Sequence, residues 1–287
     1  MQEIAENVFI ETSFPGLTVG VIGAAHGPVL IDTPFRPEDI RTWRATIQNL
    51  GGGVNRLLIN LDAHADRTLG VRAMDCTVVG HEAMSEIFRS RPMTFKAQPA
   101  GAGSEWELYE GLGSTRWAPP DITFSDELII YWDSFPIILK ECPGPSVGSI
   151  WADLPEQQVL FLGDLVVRDQ PPFLAMADIP SWIMSLSQLL SPQYKKYQFI
   201  VSSRGGLVSR EHIERQKKFL EKVQKLLSTL AESQAGEEEV ELVIPELMQF
   251  YSSSVAREDH LRNRLRWGLR HYYKRHYLQA GSEPLEE

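Results

Sequence analysis

Apolar residues near the start of the chain come in short alternating runs. ENVFIET, LTVGVIGA and GPVLIDTP are each broken by Gly and Pro, the period-two pattern of strands in a β-meander. Pro37 to Leu50 changes period: Ile40, Trp43, Ile47 and Leu50 fall on one helical face, and a GGG run ends the helix. VNRLLIN follows as a strand whose apolar density predicts burial on both faces. A loop, DAHADRT, comes directly after it. CTVVGHE reads as another strand and EAMSEIFRS as a helix.

The rhythm breaks over residues 92–120, which mix Gly, Pro and aromatic residues. Such an insertion is either a lid over a site or a surface loop with a short helix. ELIIYW, FPIILKECPG, GSIWADLP and QVLFLGDLVV then restart the strand-and-turn pattern. IPSWIMSLSQLL is helical, YQFIVSSRGG is a strand ending in a glycine turn, and REHIERQKKFLEKVQKLLSTLAES is a long amphipathic helix. An acidic joint, QAGEEEVE, leads to a basic helical end, LRNRLRWGLRHYYKRHYLQ. The order of strands then helix occurs twice. It predicts an α/β protein of two halves packed sheet against sheet with helices outside, an αββα four-layer sandwich.

Composition constrains the picture only coarsely. The 287 residues are 43% hydrophobic and 23% charged, as in globular chains, and the formal net charge of -10 argues against a broad nucleic-acid surface. Two cysteines, Cys76 and Cys142, are too few for a disulfide framework or a zinc ribbon. The N-terminus is charged and alternating, unlike a signal peptide, and no apolar run reaches the roughly 18 residues of a membrane span. These features predict a cytoplasmic protein with no membrane association.

Candidate chemistry gathers on three loops that follow strands. The first carries Asp62, His64, Asp66 and Arg67; the second is Gly163-Asp164; the third is SSRGG at 202–206. A fourth turn, PGPSVGS, spans 143–149. Lone carboxylates at strand ends are commonly caps or solvated turns, and both Asp66 and Asp32 allow that reading. His81 reads as structural, His26 as solvent-facing, and His212 as part of a helix's first turn without an evident partner. Cys76 reads as a buried filler. Ser146, Ser202 and Ser203 have no histidine base in view, which disfavours a serine triad.

In order and spacing these pieces resemble the metallo-β-lactamase superfamily over roughly residues 4–210. VLIDTP is similar to the family's early strand ending in Asp, LLINLDAHADRTLG to its HxHxDH loop, ECPGPSVGSI to its PGHTPGS turn, VLFLGDLVV to its GD strand and IVSSRGG to its PGHG turn. The resemblance implies the αββα fold with two metal sites at the sheet edges. It also implies a hydrolase in which a metal-bound water attacks an ester, thioester, amide or phosphodiester. It divides the chain into a domain over 1–232, with 92–120 as a pocket insertion, and a helical C-terminal extension over 233–287.

The chain departs from the family's motifs at the ligands. Asp62 stands at the first histidine, His64 at the second, Asp66 at the aspartate and Arg67 at the next histidine. Pro145 takes the histidine position of the PGHTPGS turn, Asp164 keeps the bridging aspartate, and Arg204 replaces the last histidine. Arginine has no lone pair to offer and stays protonated. A dication about 4 Å from one guanidinium is repelled by roughly 8 kcal/mol at an effective dielectric near 20. The second site is therefore expected to hold no metal, with Arg67 and Arg204 forking onto Asp66 and Asp164. Asp62, His64 and Asp164 remain as a ligand set for one iron, manganese or zinc ion, with Asp66 as the catalytic group that orients water or takes its proton.

The alternative is a non-catalytic protein that binds a small anionic ligand through Arg67 and Arg204, or a protein partner. Trp106, Tyr109, Arg116 and Trp117 are the candidate pocket residues, and Phe14 and Phe35 are candidates for its rim or for core. The basic aromatic end, with Trp267, Tyr272, Tyr273 and Tyr277, reads as a packed helix pair whose arginines meet the acidic joint. It is also a candidate homodimer surface.

Overall fold

The strongest local pattern, three apolar residues in a row at Leu57–Ile59, becomes a central strand buried on both faces. The computed structural model describes residues 1–51, 55–97, 101–112, 115–251 and 255–278. Parts of the expected glycine stop after the first helix, of the 92–120 insertion (98–100 and 113–114) and of the C-terminal extension (252–254 and 279–287) lie outside the described residues.

The first sheet follows chain order: β1 (Gln2–Ala5), β2 (Val8–Glu11), β3 (Val19–Ile22), β4 (Val29–Ile31), β5 (Leu57–Ile59), β6 (Thr77–His81) and β7 (Ile122–Phe124). β1 to β4 pair antiparallel, as a meander must, and β4 to β7 pair parallel. The second sheet contains β8 (Glu127–Tyr131), β9 (Pro136–Glu141), β10 (Ile150–Leu154), β11 (Val159–Phe161), β12 (Phe199–Ser202) and β13 (Gly206–Val208), in the order β13-β12-β11-β10-β9-β8. Only β11 and β12 pair parallel there.

Period-two alternation sorts each strand between layers. Leu57 and Ile59 face the other sheet, while Leu58 faces helices. Val159 and Phe161 face inward and Leu160 outward. The space between the sheets is filled by Ile10, Ile22, Ile31, Leu139, Ala152 and Val201, among others. Outside the first sheet lies α1 (Pro37–Asn49), which opens on a proline and buries Ile40, Trp43 and Ile47. The short helices α2 (Ala65–Thr68) and α3 (Val71–Met74) precede β6, and α4 (Glu82–Ser90) follows it. Outside the second sheet lie α5 (Ile179–Leu189) and α6 (Arg210–Glu232). The arrangement is the four-layer αββα sandwich.

The C-terminal part comprises a 3-10 segment Glu237–Val243, α7 (Ile244–Met248) and α8 (Val255–Tyr273), which continues as a π-helical turn. Val240, Val243, Leu247, Leu261, Leu265, Leu269, Tyr272 and Tyr273 join the same hydrophobic cluster as α5, α6 and the outer face of the second sheet. No helix of the described residues is long and apolar enough to cross a membrane.

Several small expectations resolve here. His81 caps α4: its Nδ1 accepts from the Ala83 N–H. His212 does have a partner, because the Ser209 N–H donates to its Nδ1 at the start of α6. Phe14 and Phe35 are core residues, packed against Trp43 and Tyr109 respectively.

Candidate functional site

Parallel pairing brings the C-terminal ends of β4, β5, β11 and β12 to one edge of the sandwich. Each end delivers a polar side chain: Asp32 after β4, Asp62 and His64 after β5, Asp164 after β11 and Arg204 after β12. The first turn of α2 adds Asp66 and Arg67. Asp32, Asp62, Asp66, Arg67, Asp164 and Arg204 are all at most 4% exposed. Charges so buried persist only when paired.

Asp164 is the hub of the pairing. Its Oδ1 accepts from Arg67 Nη2, and its Oδ2 accepts from Arg204 Nε at 2.9 Å. Arg204 Nη1 donates to Asp66 Oδ2 at 3.0 Å and to the Gly16 carbonyl. The other oxygen of Asp66 accepts from the Trp106 N–H at 3.0 Å, which ties the insertion to the network. Arg67 continues to Asp62, with Nε 3.2 Å from Oδ1, and to Asp32, with Nη1 3.6 Å from Oδ2. His64 Nδ1 lies 3.0 Å from Asp62 Oδ2 and 3.9 Å from Asp164 Oδ2.

The electrostatics follow from this geometry. Burial by itself would raise the Asp164 carboxyl, but the guanidiniums of Arg204 and Arg67 and the His64 ring outweigh it and hold it far below its ordinary value. Asp62 is likewise lowered: Arg67 and His64 overcome burial. Asp32 goes the other way. Burial pushes it up to about 6, offset only in part by Arg67, and Asp62 adds repulsion. Burial opposes the charge on Arg67 and Arg204, yet their carboxylates raise both above the ordinary arginine value.

Asp32 has φ 58, a left-handed backbone uncommon outside glycine, Asn and Asp. Its carboxylate accepts from the Leu61 N–H at 3.0 Å and from Ser203 Oγ at 3.2 Å. Strand β4 is thereby joined to the loops after β5 and β12. Ser202 Oγ accepts from the Arg204 N–H at 2.9 Å, so both serines are spent on holding the loops.

Three partners of this network were not visible in the sequence. Phe173, on the loop between β11 and α5, lies between two guanidiniums, with Arg204 at 4.6 Å and Arg264 at 4.3 Å from its ring centre, and it sits 5.3 Å from the His64 ring. Arg264 comes from α8 and is fully buried, donating to the Gly103 carbonyl and to Gln170. Burial and the field of Arg204 push it down to about 10. Glu105, buried in the insertion, receives both Arg264 and Arg257.

A cavity of about 220 Å³ opens beside His64 and Ala65. Phe95, Trp106, Trp117 and Trp267 supply its aromatic walls, and Arg91 and Lys96 its cations. Of the candidate pocket residues, Trp106 and Trp117 line it. Tyr109 instead packs on Phe35 beneath Arg36, and Arg116 is exposed, so neither is part of the lining. Phe95 and Lys96, inside the insertion, carry no local mark that sets them apart from its other residues; Arg91 precedes the insertion and Trp267 comes from the far end of the chain.

Asp62, His64 and Asp164 each offer a ligand atom within 4.8 Å of the other two, so this group could hold a metal ion. The donor types suit one. At the position framed by Asp66, Asp164, Arg67 and Arg204, both Asp164 oxygens and one Asp66 oxygen accept from guanidiniums.

No protein-family model matches the chain, and no curated protein matches it. Solved structures do. A metallo-β-lactamase from Pontibacter korlensis superposes with a TM-score of 0.60 and 20% identity, over 77% of this chain and 97% of that one. The DIM-1 metallo-β-lactamase gives 0.59 and 18%, over 77% and 96%. The stereoselective inverting sec-alkylsulfatase Pisa1 from Pseudomonas sp. gives 0.67 and 15%, over 96% of this chain but only 49% of that one. This chain thus spans about half the length of the alkylsulfatase. At such identities the likeness establishes the fold: it is that of the metallo-β-lactamases.

Proposed function

We propose that this chain uses the metallo-β-lactamase fold without a dinuclear metal centre, as a protein that binds a small ligand in the cavity beside His64. The observation that carries the reading is the double capture of Asp164, with Arg67 on one oxygen and Arg204 on the other. Two guanidiniums bring two positive charges, the charge of one dication, into the position where the resemblance puts the second metal. They also repel any dication that approaches, by roughly 8 kcal/mol each at about 4 Å. These ion pairs tie together the loops that frame the cavity, while Asp62 Oδ2, Arg67 Nε and Nη1 and Arg204 Nη2 are left without a hydrogen-bond partner among the described residues.

Arg67 and Arg204 are paired with carboxylates and fully buried, and even their unpartnered nitrogens, Arg67 Nε and Nη1 and Arg204 Nη2, are closed off from the surface, so they are poor contacts for a ligand. Recognition falls to the cavity walls. Phe95, Trp106, Trp117 and Trp267 suit a flat apolar body, and Arg91 and Lys96, against the one carboxylate of Glu107 in the same lining, leave an excess of one positive charge for an anionic group.

A second reading rests on the grouping of Asp62, His64 and Asp164. Held there, one iron, manganese or zinc ion would supply an activated water for hydrolysis. Asp66 would be the group to orient that water or take its proton. Both Asp66 oxygens, however, already accept hydrogen bonds, from Trp106 and Arg204. His64 Nδ1 faces Asp62 Oδ2 at 3.0 Å, a contact that metal binding would have to break. The first reading is therefore preferred.

Elemental analysis of protein purified without chelator separates the two. The first reading expects zinc, iron and manganese well below one per chain, and no hydrolysis of ester, thioester, lactam or phosphodiester panels. One equivalent of metal, lost in both Asp62→Ala and His64→Ala, would install the second reading instead. The double variant Arg67→His with Arg204→His restores histidines to the sheet edge and is expected to gain zinc, read by the same analysis.

A further inference from the structure

Trp267 lines the cavity beside His64 on one side. That indole also forms the wall of a second groove, of about 460 Å³, along α8. Gly101 lines the groove and its neighbour Ala102 lines the cavity, so two separate parts of the chain are shared between them. The groove is also lined by Arg266, Arg270, His271 and Lys274.

The charge of this groove runs against that of the molecule. Its wall holds Arg266, Arg270 and Lys274 against Glu237, an excess of two positive charges, in a chain of net charge -10. Glu237 holds Arg270 at 2.9 Å, and Glu241, beside the wall, pairs with Arg266 at 3.1 Å and lies 3.9 Å from Arg270, which leaves an excess of one at Lys274. Cations in the last turns of a helix need no ligand to explain them, since they complement its dipole. Trp267 is different. It stands half-buried between an aromatic chamber and a cationic one, with its ring fixed against His271 at 4.0 Å.

We infer that the ligand is bipartite: a flat ring system sits in the aromatic cavity, and a phosphomonoester reaches past Trp267 to Arg270 and Lys274. This rests on the ligand-binding reading of the cavity and names the chemical class of its ligand. A phosphomonoester matches the groove because its monoanion answers the local excess of one, and guanidinium and ammonium groups bind phosphate oxygens well. The ring fits the cavity because indole faces accept any flat partner.

Calorimetric titration of the full chain with 1-naphthyl phosphate, 1-naphthol and inorganic phosphate tests this. Naphthyl phosphate is expected to bind about tenfold or more tightly than naphthol, a difference of about 1.4 kcal/mol. Arg270→Gln with Lys274→Gln should erase that advantage while leaving naphthol binding unchanged. Salt at about 0.5 M should erase it in the unaltered protein as well, a control that needs no variant to fold. Trp106→Ala should weaken both ring compounds.

Equal binding of naphthol and its phosphate, indifferent to the double variant, would overturn the bipartite ligand and leave the cavity reading standing. Inorganic phosphate binding as tightly as the ester, unaffected by Trp106→Ala, would overturn it too, by making the groove a separate anion site. If no ring compound binds at all, the inference and the cavity reading fall together.

Discussion

Arg204 spans two carboxylates that would otherwise be buried beside each other, with Nε on Asp164 and Nη1 on Asp66. Truncating it leaves both without their shared counter-charge. Arg204→Met is therefore expected to cost about 3–5 kcal/mol, the range for breaking a buried pair by removing one partner. A urea titration reads this as a lower midpoint at constant slope. Arg204→Lys should recover only part of the loss, since one ammonium cannot fork to two carboxylates. If the Met variant unfolds at the original midpoint, the network contributes nothing to stability. The members of this network that were legible in the sequence are those next to strand ends: Asp62, His64, Asp66, Arg67, Asp164 and Arg204. Asp32 was legible only as a turn residue, because its value lies in tertiary contacts to Leu61 and Ser203. Phe173 carries no local signal at all; two arginines from distant segments make it part of the site.

At the scale of elements, α8 shows how a correct local reading can miss a global role. Leu261, Leu265, Leu269, Tyr272 and Tyr273 recur at helical spacing and are buried, as the sequence suggests. Arg264 lies among them and is buried as deeply, which hydropathy alone assigns to solvent. Its partners, the Gly103 carbonyl and Gln170, are roughly a hundred or more positions away, so no window of sequence reveals them. Even the chain at Gly103 is shaped to it: φ is +72, and an added Cβ would lie 2.6 Å from Arg264 Cβ. The division at residue 232 can be tested directly. The core of α5 and α6 includes the extension's side chains, so a chain ending at Glu232 would expose a large apolar face. Aggregation or a broad, non-cooperative melt is expected, by size-exclusion chromatography and calorimetry. A soluble fragment with the full chain's melting temperature would instead make 233–287 an independent extension.

At the scale of the whole molecule, the sandwich was legible because each apolar run has a clear period and the turns between runs are marked by Gly and Pro. The closing of its sheet edge by the insertion and α8 was not, because that depends on polar partners rather than on pattern. Asp32, Asp62 and Asp164 share this edge, and they make stability depend on pH in two opposed ways. Asp62 and Asp164 are held below their ordinary values. Their contribution is fully present above about pH 4, the unfolded value, and is lost as pH falls through the lower folded values. Asp32 is raised to about 6 from 3.8, so the folded state holds its proton more tightly than the unfolded chain does. Its ionisation therefore costs stability between about pH 4 and pH 6, on the order of 2–3 kcal/mol across that window. Denaturation midpoints from about pH 3 to 8 should rise out of acid, peak near pH 4–5, and decline towards pH 6 and beyond. Asp32→Asn keeps an acceptor for the Leu61 N–H but has no proton to lose. It is expected to flatten the limb between pH 4 and 6 and to keep the acid limb unchanged. A limb that persists in Asp32→Asn would move the titration to another group and would remove Asp32 as the point where this metal-like centre still feels the solvent's protons.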